Sequence, residues 1–345
     1  MTKWLTDTTQ KICQANREAA NRRQQQLTKP QGSLGRLEQL AIDFAGFQKT
    51  QIPELNHVVI RVFAGDHGVV EEGVSAFPQE VTAEMIRNFA LGGAAVAVLA
   101  RHCHADFGVV NLGTVNPIEE LPNVVNLQIA KGTNNFCKGQ AMSEQHYTAA
   151  LLAGRDSVPS HCQLFIGGEM GIGNTTSAAA IYCGLLGLEV EQAVGRGTGI
   201  DDTGLDRKKQ AVQRGLQLHV KKNSGPEEIL KCLGGFEIAA LVGAYIHCAQ
   251  RGIPCLVDGY ITTAAALLAC RINAGVRDWL LFSHCSAESA HKRVLASLDA
   301  EPLLDFGMRL GEGSGAALAV CLIQSALKLH AEMATFAEAS VSEHC

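Results

Sequence analysis

From His57 onward the chain repeats one pattern: a short apolar run, a turn rich in glycine and polar residues, then a helical stretch. That is the signature of βαβ units built around a parallel sheet. Six apolar runs read as strands, at 58–63, 107–112, 163–167, 253–257, 279–283 and 302–306. Their C-terminal ends lead into Ala64-Gly65-Asp66-His67-Gly68, Gly113-Thr114, Gly168-Glu169, Asp258-Gly259-Tyr260, His284-Cys285-Ser286 and the glycine-rich run 309–315. Ligands of open parallel sheets bind outside the carboxyl ends of the strands, so these loops are expected to share one crevice. Residues 1–50 follow a different rule. Ile12, Ala15 and Ala19, and later Leu37, Leu40, Ala41 and Phe44, recur at helical spacing among polar positions. Two helices follow, joined by a connector in which Pro30, Gly32 and Gly35 mark a break and Ser33 is a candidate cap. A last helix is expected to reach about Met333 before a polar tail that rejoins the N-terminal helices or frays.

The densest turn is Gly167-Gly168-Glu169-Met170-Gly171-Ile172-Gly173-Asn174-Thr175-Thr176, set between a candidate buried strand and an alanine-rich candidate helix. A strand feeding a glycine-rich loop and a helix aims free amide N–H groups at whatever sits above the turn, which favours a phosphate. No Gly-Lys-Ser/Thr closes the loop, and the third glycine of the dinucleotide fingerprint is missing. Mononucleotide phosphate is the narrower expectation, and packing of a tight turn is the alternative.

Composition narrows the function class. The 345 residues are 47% hydrophobic with a formal charge of −5, enough for a large core and without the basic block that nucleic acid or an anionic membrane would need. Small-molecule substrates are favoured. The first residues lack the apolar stretch of a signal peptide, and no uninterrupted apolar run reads as long enough to span a bilayer, so a cytoplasmic protein is expected. Twelve scattered cysteines without a Cys-x-x-Cys pair read as reduced thiols, with Cys183, Cys248 and Cys321 inside apolar helical patterns.

Four further stretches carry candidate chemistry. Asp66-His67 follows a strand directly and reads as a hydrogen-bonded turn, because no further ligands at helical spacing accompany it and Glu71-Glu72 look solvated. The segment 73–80 is apolar for a loop, so Ser75, Phe77 and Gln79, together with Met170, are candidates to line a flat aromatic base, a core-packing Phe77 being the alternative. In the run 195–209, Thr203 reads as an N-cap with Asp206 three residues on, and Lys208-Lys209 stand in the first turns of the helix. Cations there oppose the helix dipole and suggest an anionic ligand, unless they simply face solvent. Gly311-Glu312-Gly313-Ser314-Gly315 repeats the first turn's design, an acid between glycines ahead of an apolar helix. By these features alone, a nucleotide-using enzyme such as a Rossmann-type oxidoreductase, or a non-catalytic nucleotide sensor, stays open; a sensor has no need of Glu169 and Glu312.

Four long motifs in order settle on one resemblance: Lys29-Pro30-Gln31-Gly32-Ser33-Leu34-Gly35-Arg36-Leu37-Glu38, Ala64-Gly65-Asp66-His67-Gly68-Val69, Gly168-Glu169-Met170-Gly171-Ile172-Gly173-Asn174-Thr175-Thr176 and Arg309-Leu310-Gly311-Glu312-Gly313-Ser314-Gly315-Ala316-Ala317. Across essentially its whole length the chain resembles the nicotinate-nucleotide:dimethylbenzimidazole phosphoribosyltransferases. The resemblance implies an α/β fold with a Rossmann-like six-stranded parallel sheet flanked by helices (51–327), a small helical domain drawn from both chain ends (1–50 and 328–345), and a homodimer. It implies transfer of phosphoribose from nicotinate mononucleotide to 5,6-dimethylbenzimidazole with inversion at the anomeric carbon, in assembly of the cobalamin nucleotide loop. By the same resemblance Glu312 matches the catalytic base, Glu169 a second acid, Gly171, Ile172, Gly173, Asn174, Thr175 and Thr176 the phosphate cradle, and Lys208 a phosphate-binding lysine. The chemistry agrees: the attacking benzimidazole must lose its N–H proton, which a carboxylate can accept. Nicotinate leaves from a pyridinium and needs no protonation, so neither a metal nor a redox cofactor is expected.

Overall fold

The computed structural model describes residues 2–197 and 199–342. Met1, Thr198 and residues 343–345, the last of these within the segment expected to join the small helical domain, lie outside the described residues. Six parallel strands form one sheet: β1 Val58–Gly65, β2 Asp106–Gly113, β3 Val124–Asn126, β4 Leu164–Met170, β5 Cys255–Val257 and β6 Leu280–Phe282. Their spatial order is β3-β2-β1-β4-β5-β6. The chain therefore winds outward from β1 to one edge, returns to the middle, and winds outward again from β4, which opens a crevice above the carboxyl ends of β1 and β4. β1 reads as a near-continuous apolar run because helices cover both faces. Its exception, Arg61, is half-buried and reaches Asp106 on β2 at 2.7 Å.

Two expectations about strands change. Residues 302–306 form no strand: only Leu304 bridges, in parallel, to His284 beyond β6. Pro302 brings no amide donor, and Asp305, Phe306 and Gly307 are exposed, so pairing there stops at a few hydrogen bonds. The sixth strand is β3, three residues of which Val124 is half-buried and Val125 and Asn126 are exposed, and whose brevity hides any period along the chain. The start of the Asp202–His219 helix also shifts: Asp201, not Thr203, is the N-cap, its carboxylate accepting from the Gly204 amide at 2.7 Å.

The Glu144–Asp156 and Phe236–Arg251 helices cover one side of the sheet and pack on each other backbone to backbone. A Cβ on Gly154 would lie 1.7 Å from the Ala240 carbonyl oxygen and one on Gly243 2.1 Å from that of Leu151, so only glycine permits this approach. At the chain ends, the Gln14–Gln26 and Arg36–Gln48 helices pack on each other, and the second also packs on Ser314–Glu332. Leu27 bridges to Thr335, and the Thr28 amide donates to the Ala334 carbonyl. In the connector the Lys29 ammonium meets Glu38 at 2.8 Å, and Glu38 also accepts from the Leu34 amide. Gly35 rather than Ser33 occupies the N-cap of the second helix.

By length and composition alone the stretches Glu80–His102 and Ser314–Glu332 would reach across a bilayer, although charged and polar residues interrupt both apolar runs. In the fold the first breaks at Gly92 into the Glu80–Ala90 and Ala95–His102 helices, and the second sinks Ala316, Ala319, Val320, Ile323 and Leu327 into the core. The eleven described cysteines are all free, Cys183 and Cys248 buried and Cys321 half-buried.

Candidate active site

The strand-end loops enclose a cavity of about 470 Å³. β4 supplies Glu169 and Met170 and runs directly into Gly171, Ile172, Asn174 and Thr175. Phe77, Val81 and Met85 form an apolar wall, Tyr260 and Ile261 follow β5, His284, Ser286 and Glu288 follow β6, and Arg309 to Glu312 close the far side. The Arg309 guanidinium donates to the Gly197 carbonyl at 3.3 Å, joining two rim loops. A larger open groove, about 1180 Å³, runs along β2 and β3 beside the Glu144–Asp156 helix. It contains none of the glycine turns, and it lies off the crevice that the strand order creates.

Both candidate acids reach the cavity, and the Glu169 carboxyl is bonded to the loop that carries Glu312. Glu169 accepts from the Asn174 side-chain amide through one oxygen and from the Glu312 main-chain amide, at 3.3 Å, through the other. Burial pushes its proton affinity well above the usual carboxylate range, with the nearby acids Glu237, Asp258 and Glu312 adding to the shift. Glu312 has a left-handed backbone, φ 65°, between Gly311 and Gly313, which are also left-handed at 83° and 86°. Three successive left-handed residues turn the chain sharply, and a Cβ on Gly311 would lie 2.3 Å from Glu169 Oε1. For a non-glycine residue this backbone is uncommon, and it sits in the candidate site.

The Glu312 carboxyl is pushed up to about 7 by burial, with Asp258 as the second cause. A carboxylate at a helix N-terminus is expected to be more acidic than usual. Here the terminus of the Ser314–Glu332 helix is served by Asp258 instead, which accepts from the Gly313 amide at 3.1 Å and the Ala316 amide at 2.8 Å. Glu312 is left with the desolvation and without the compensating donors. Asp258 in turn lies 3.8 Å from His284 Nδ1.

The first turn of the Asn174–Leu186 helix ties its side chains to different partners. Asn174 holds Glu169, Thr175 Oγ1 accepts from Lys208 Nζ at 2.8 Å, and Ser177 Oγ lies 2.9 Å from His67 Nδ1. Lys208 is buried, donates also to the Gly195 carbonyl at 3.0 Å, and has its pKa lowered to about 8 by desolvation. Of the residues expected at a phosphate, Gly171, Ile172, Asn174 and Thr175 line the cavity, while Gly173, Thr176 and Lys208 stand behind them. Gly173 is the helix N-cap with φ 97°. Of the residues expected at an aromatic base, Phe77 and Met170 line the cavity, and Phe77 is 49% exposed rather than packed in the core. Ser75 and Gln79 do not line it: Ser75 Oγ accepts from the Phe77 amide, and Gln79 donates to the His67 carbonyl.

The pattern along the chain did not single out Val81, Met85 or Ile261, and it named Tyr260 only as part of a strand-end loop. A signal existed for the first two: Val81 and Met85 are spaced by four within the Glu80–Ala90 helix, which stacks them on one helical face. Asp258 and His284 stood at strand ends without a stated role. Among the described residues no group of three or more His, Cys, Asp or Glu side chains is arranged to hold a metal ion.

Comparisons with known proteins agree with this geometry. A phosphoribosyltransferase family profile matches residues 9–341. Nicotinate-nucleotide–dimethylbenzimidazole phosphoribosyltransferases of Pseudomonas putida and Pseudomonas aeruginosa are 55% and 56% identical to this chain, covering 99% of it and 98% of each relative. The crystal structure of CobT from Thermus thermophilus superposes with a TM-score of 0.92 at 42% identity, over 96% of this chain and 100% of that one. By sequence and by fold, this chain belongs to the nicotinate-nucleotide–dimethylbenzimidazole phosphoribosyltransferase family.

Proposed function

We propose that this chain moves phosphoribose from nicotinate mononucleotide to 5,6-dimethylbenzimidazole, releasing nicotinate and forming α-ribazole 5'-phosphate for the cobalamin nucleotide loop. The observation that carries the reading is Glu312, a buried carboxyl on a left-handed turn, facing the cavity with a pKa of about 7. A general base works best when its pKa lies near the operating pH. The neutral base attacks the anomeric carbon through one nitrogen while its N–H gives its proton to Glu312, so no cationic product accumulates. Attack opposite to the departing nicotinate inverts that carbon from β to α. Glu169 accepts from the Glu312 main-chain amide and so fixes the turn that carries the base, a role that needs no charge on a carboxyl whose proton affinity burial raises.

In this reading the Gly171–Thr176 loop and Lys208 hold the phosphate, and Phe77, Met170, Val81 and Met85 flank the flat base, with Ser75 and Gln79 supporting that wall from behind. The helices of the two chain ends act as a small domain, the enzyme works as a homodimer in the cytoplasm, and neither a metal nor a redox cofactor takes part. Incubation with nicotinate mononucleotide and dimethylbenzimidazole, followed by chromatography, tests the reaction. Base-dependent release of nicotinate with a matching α-ribotide supports it; tight nucleotide binding without release points to a sensor.

A further inference from the structure

Beneath the glycine loop lies a fully buried chain of three polar side chains that the chemistry above does not use. His67 Nε2 is 2.7 Å from Glu237 Oε1, and His67 Nδ1 is 2.9 Å from Ser177 Oγ. A carboxylate at Nε2 places the ring proton there, which leaves Nδ1 to accept the Ser177 hydroxyl proton. The other Glu237 oxygen has no hydrogen-bond partner among the described residues, so His67 is this carboxyl's polar anchor. The loop and the Gly235 turn lie against His67, although the tightest limits on Gly171 and Gly173 are the Gly65 carbonyl at 2.3 Å and Val70 at 2.8 Å. A Cβ on Gly171 would stand 3.2 Å from the ring, one on Gly173 3.3 Å from His67 Cβ, and one on Gly235 2.2 Å from the ring. Ser177 belongs to the same helical turn as Asn174 and Thr175, which hold Glu169 and Lys208.

We infer that His67 is a positioning residue for the nucleotide phosphate: anchored by Glu237, it fixes Ser177 and with it the first turn and glycine loop of the Asn174–Leu186 helix. The inference rests on reading that loop as the phosphate cradle. His67 is buried beneath the loop and does not line the cavity, so its effect passes through the helix turn. A loosened cradle weakens ground-state and transition-state binding alike, and such a loss appears in KM before kcat.

Ser177→Ala is the informative variant, because it deletes the link while keeping a good helix former at the position. Loss of one buried hydrogen bond predicts a KM for nicotinate mononucleotide raised roughly 3- to 10-fold, with kcat and the KM for the base little changed. His67→Asn, whose amide oxygen can take the acceptor place of Nδ1 toward Ser177, and His67→Gln, which reaches toward Glu237 instead, extend the test. The first is expected to keep the KM closer to wild type. Lys208→Ala serves as the reference. If it raises the nucleotide KM and Ser177→Ala does not, the inference is overturned and the triad is core packing. If neither variant changes that KM, the phosphate reading of the loop fails and the inference fails with it. A Ser177→Ala enzyme with lowered kcat, lowered Tm and unchanged KM also overturns it.

Discussion

The main-chain amide of Glu312 donates to the side chain of Glu169 across the cavity, at 3.3 Å, so one candidate acid holds the backbone that carries the other. Glu169 takes a second donor from Asn174, and both of its oxygens are occupied by acceptor roles. Glu169→Gln keeps the shape but offers only one acceptor oxygen, leaving an amide facing a donor. A stability loss of about 1–3 kcal/mol is expected together with a fall in kcat. Denaturant titration and steady-state kinetics on one preparation check this; a variant with normal kcat would detach Glu169 from the placement of Glu312.

Stability should carry the signature of Glu312 through pH. Its carboxyl is raised to about 7 in the fold from an unfolded value of 4.5, so between those values the native state binds more protons than the unfolded chain. The stabilisation from this group is complete below pH 4.5 and is lost as pH rises through about 7, amounting to at most about 3 kcal/mol. Glu312→Gln has no such slope. Its stability relative to wild type is expected to increase from about pH 5 to about pH 8 and then level off, measured by denaturant midpoints; a constant difference across that range contradicts the shift.

Lys208 titrates in the opposite sense. Its folded pKa of about 8 lies below the unfolded 10.5, so stability rises as pH passes from about 8 to 10.5. Binding changes too. Above about pH 8 the amine loses the charge proposed to meet the phosphate, and the KM for nicotinate mononucleotide is expected to climb while the KM for the base stays level. Lys208→Ala and Thr175→Val should raise the nucleotide KM more than they lower kcat. An unchanged KM in both would remove them from the phosphate site.

Much of this was legible because βαβ proteins write their sites into strand ends. The apolar runs located β1, β2, β4, β5 and β6, and the acid-between-glycines turns brought Glu169 and Glu312 to one cavity. What the chain did not disclose depended on contacts between distant segments. β3 is too short and too exposed for a period to register. Asp258 takes the helix-terminal amides that proximity in sequence would assign to Glu312, which reverses the expected direction of the Glu312 shift. Gln79 sits within the right segment yet spends its amide on the His67 carbonyl.

Asp258→Asn tests that division of labour. The amide retains one acceptor for the two amides of Gly313 and Ala316 and removes a charge near Glu312. A loss of about 0.5–2 kcal/mol is expected, with the acid limb of the kcat profile moved to lower pH because Glu312 ionises more readily. An unmoved limb would show that Asp258 does not set the base.

Base selection should depend on the apolar wall. Met170→Ala and Met85→Ala remove apolar surface beside Phe77 that the methyl groups would bury, and competition between dimethylbenzimidazole and an unmethylated benzimidazole is expected to shift toward the unmethylated base. Product ratios unchanged in both variants would place the base elsewhere.

The most direct test is kcat of Glu312→Gln, with both substrates saturating at about pH 8. The amide matches the carboxylate in size but cannot accept the benzimidazole proton, and the helix cap is left in place because Asp258 provides it. With Glu312 as the base, kcat falls by about 100-fold or more, both substrates still bind, and the Tm equals or exceeds that of wild type. Turnover close to wild type in a folded variant that binds both substrates would contradict Glu312 as the base.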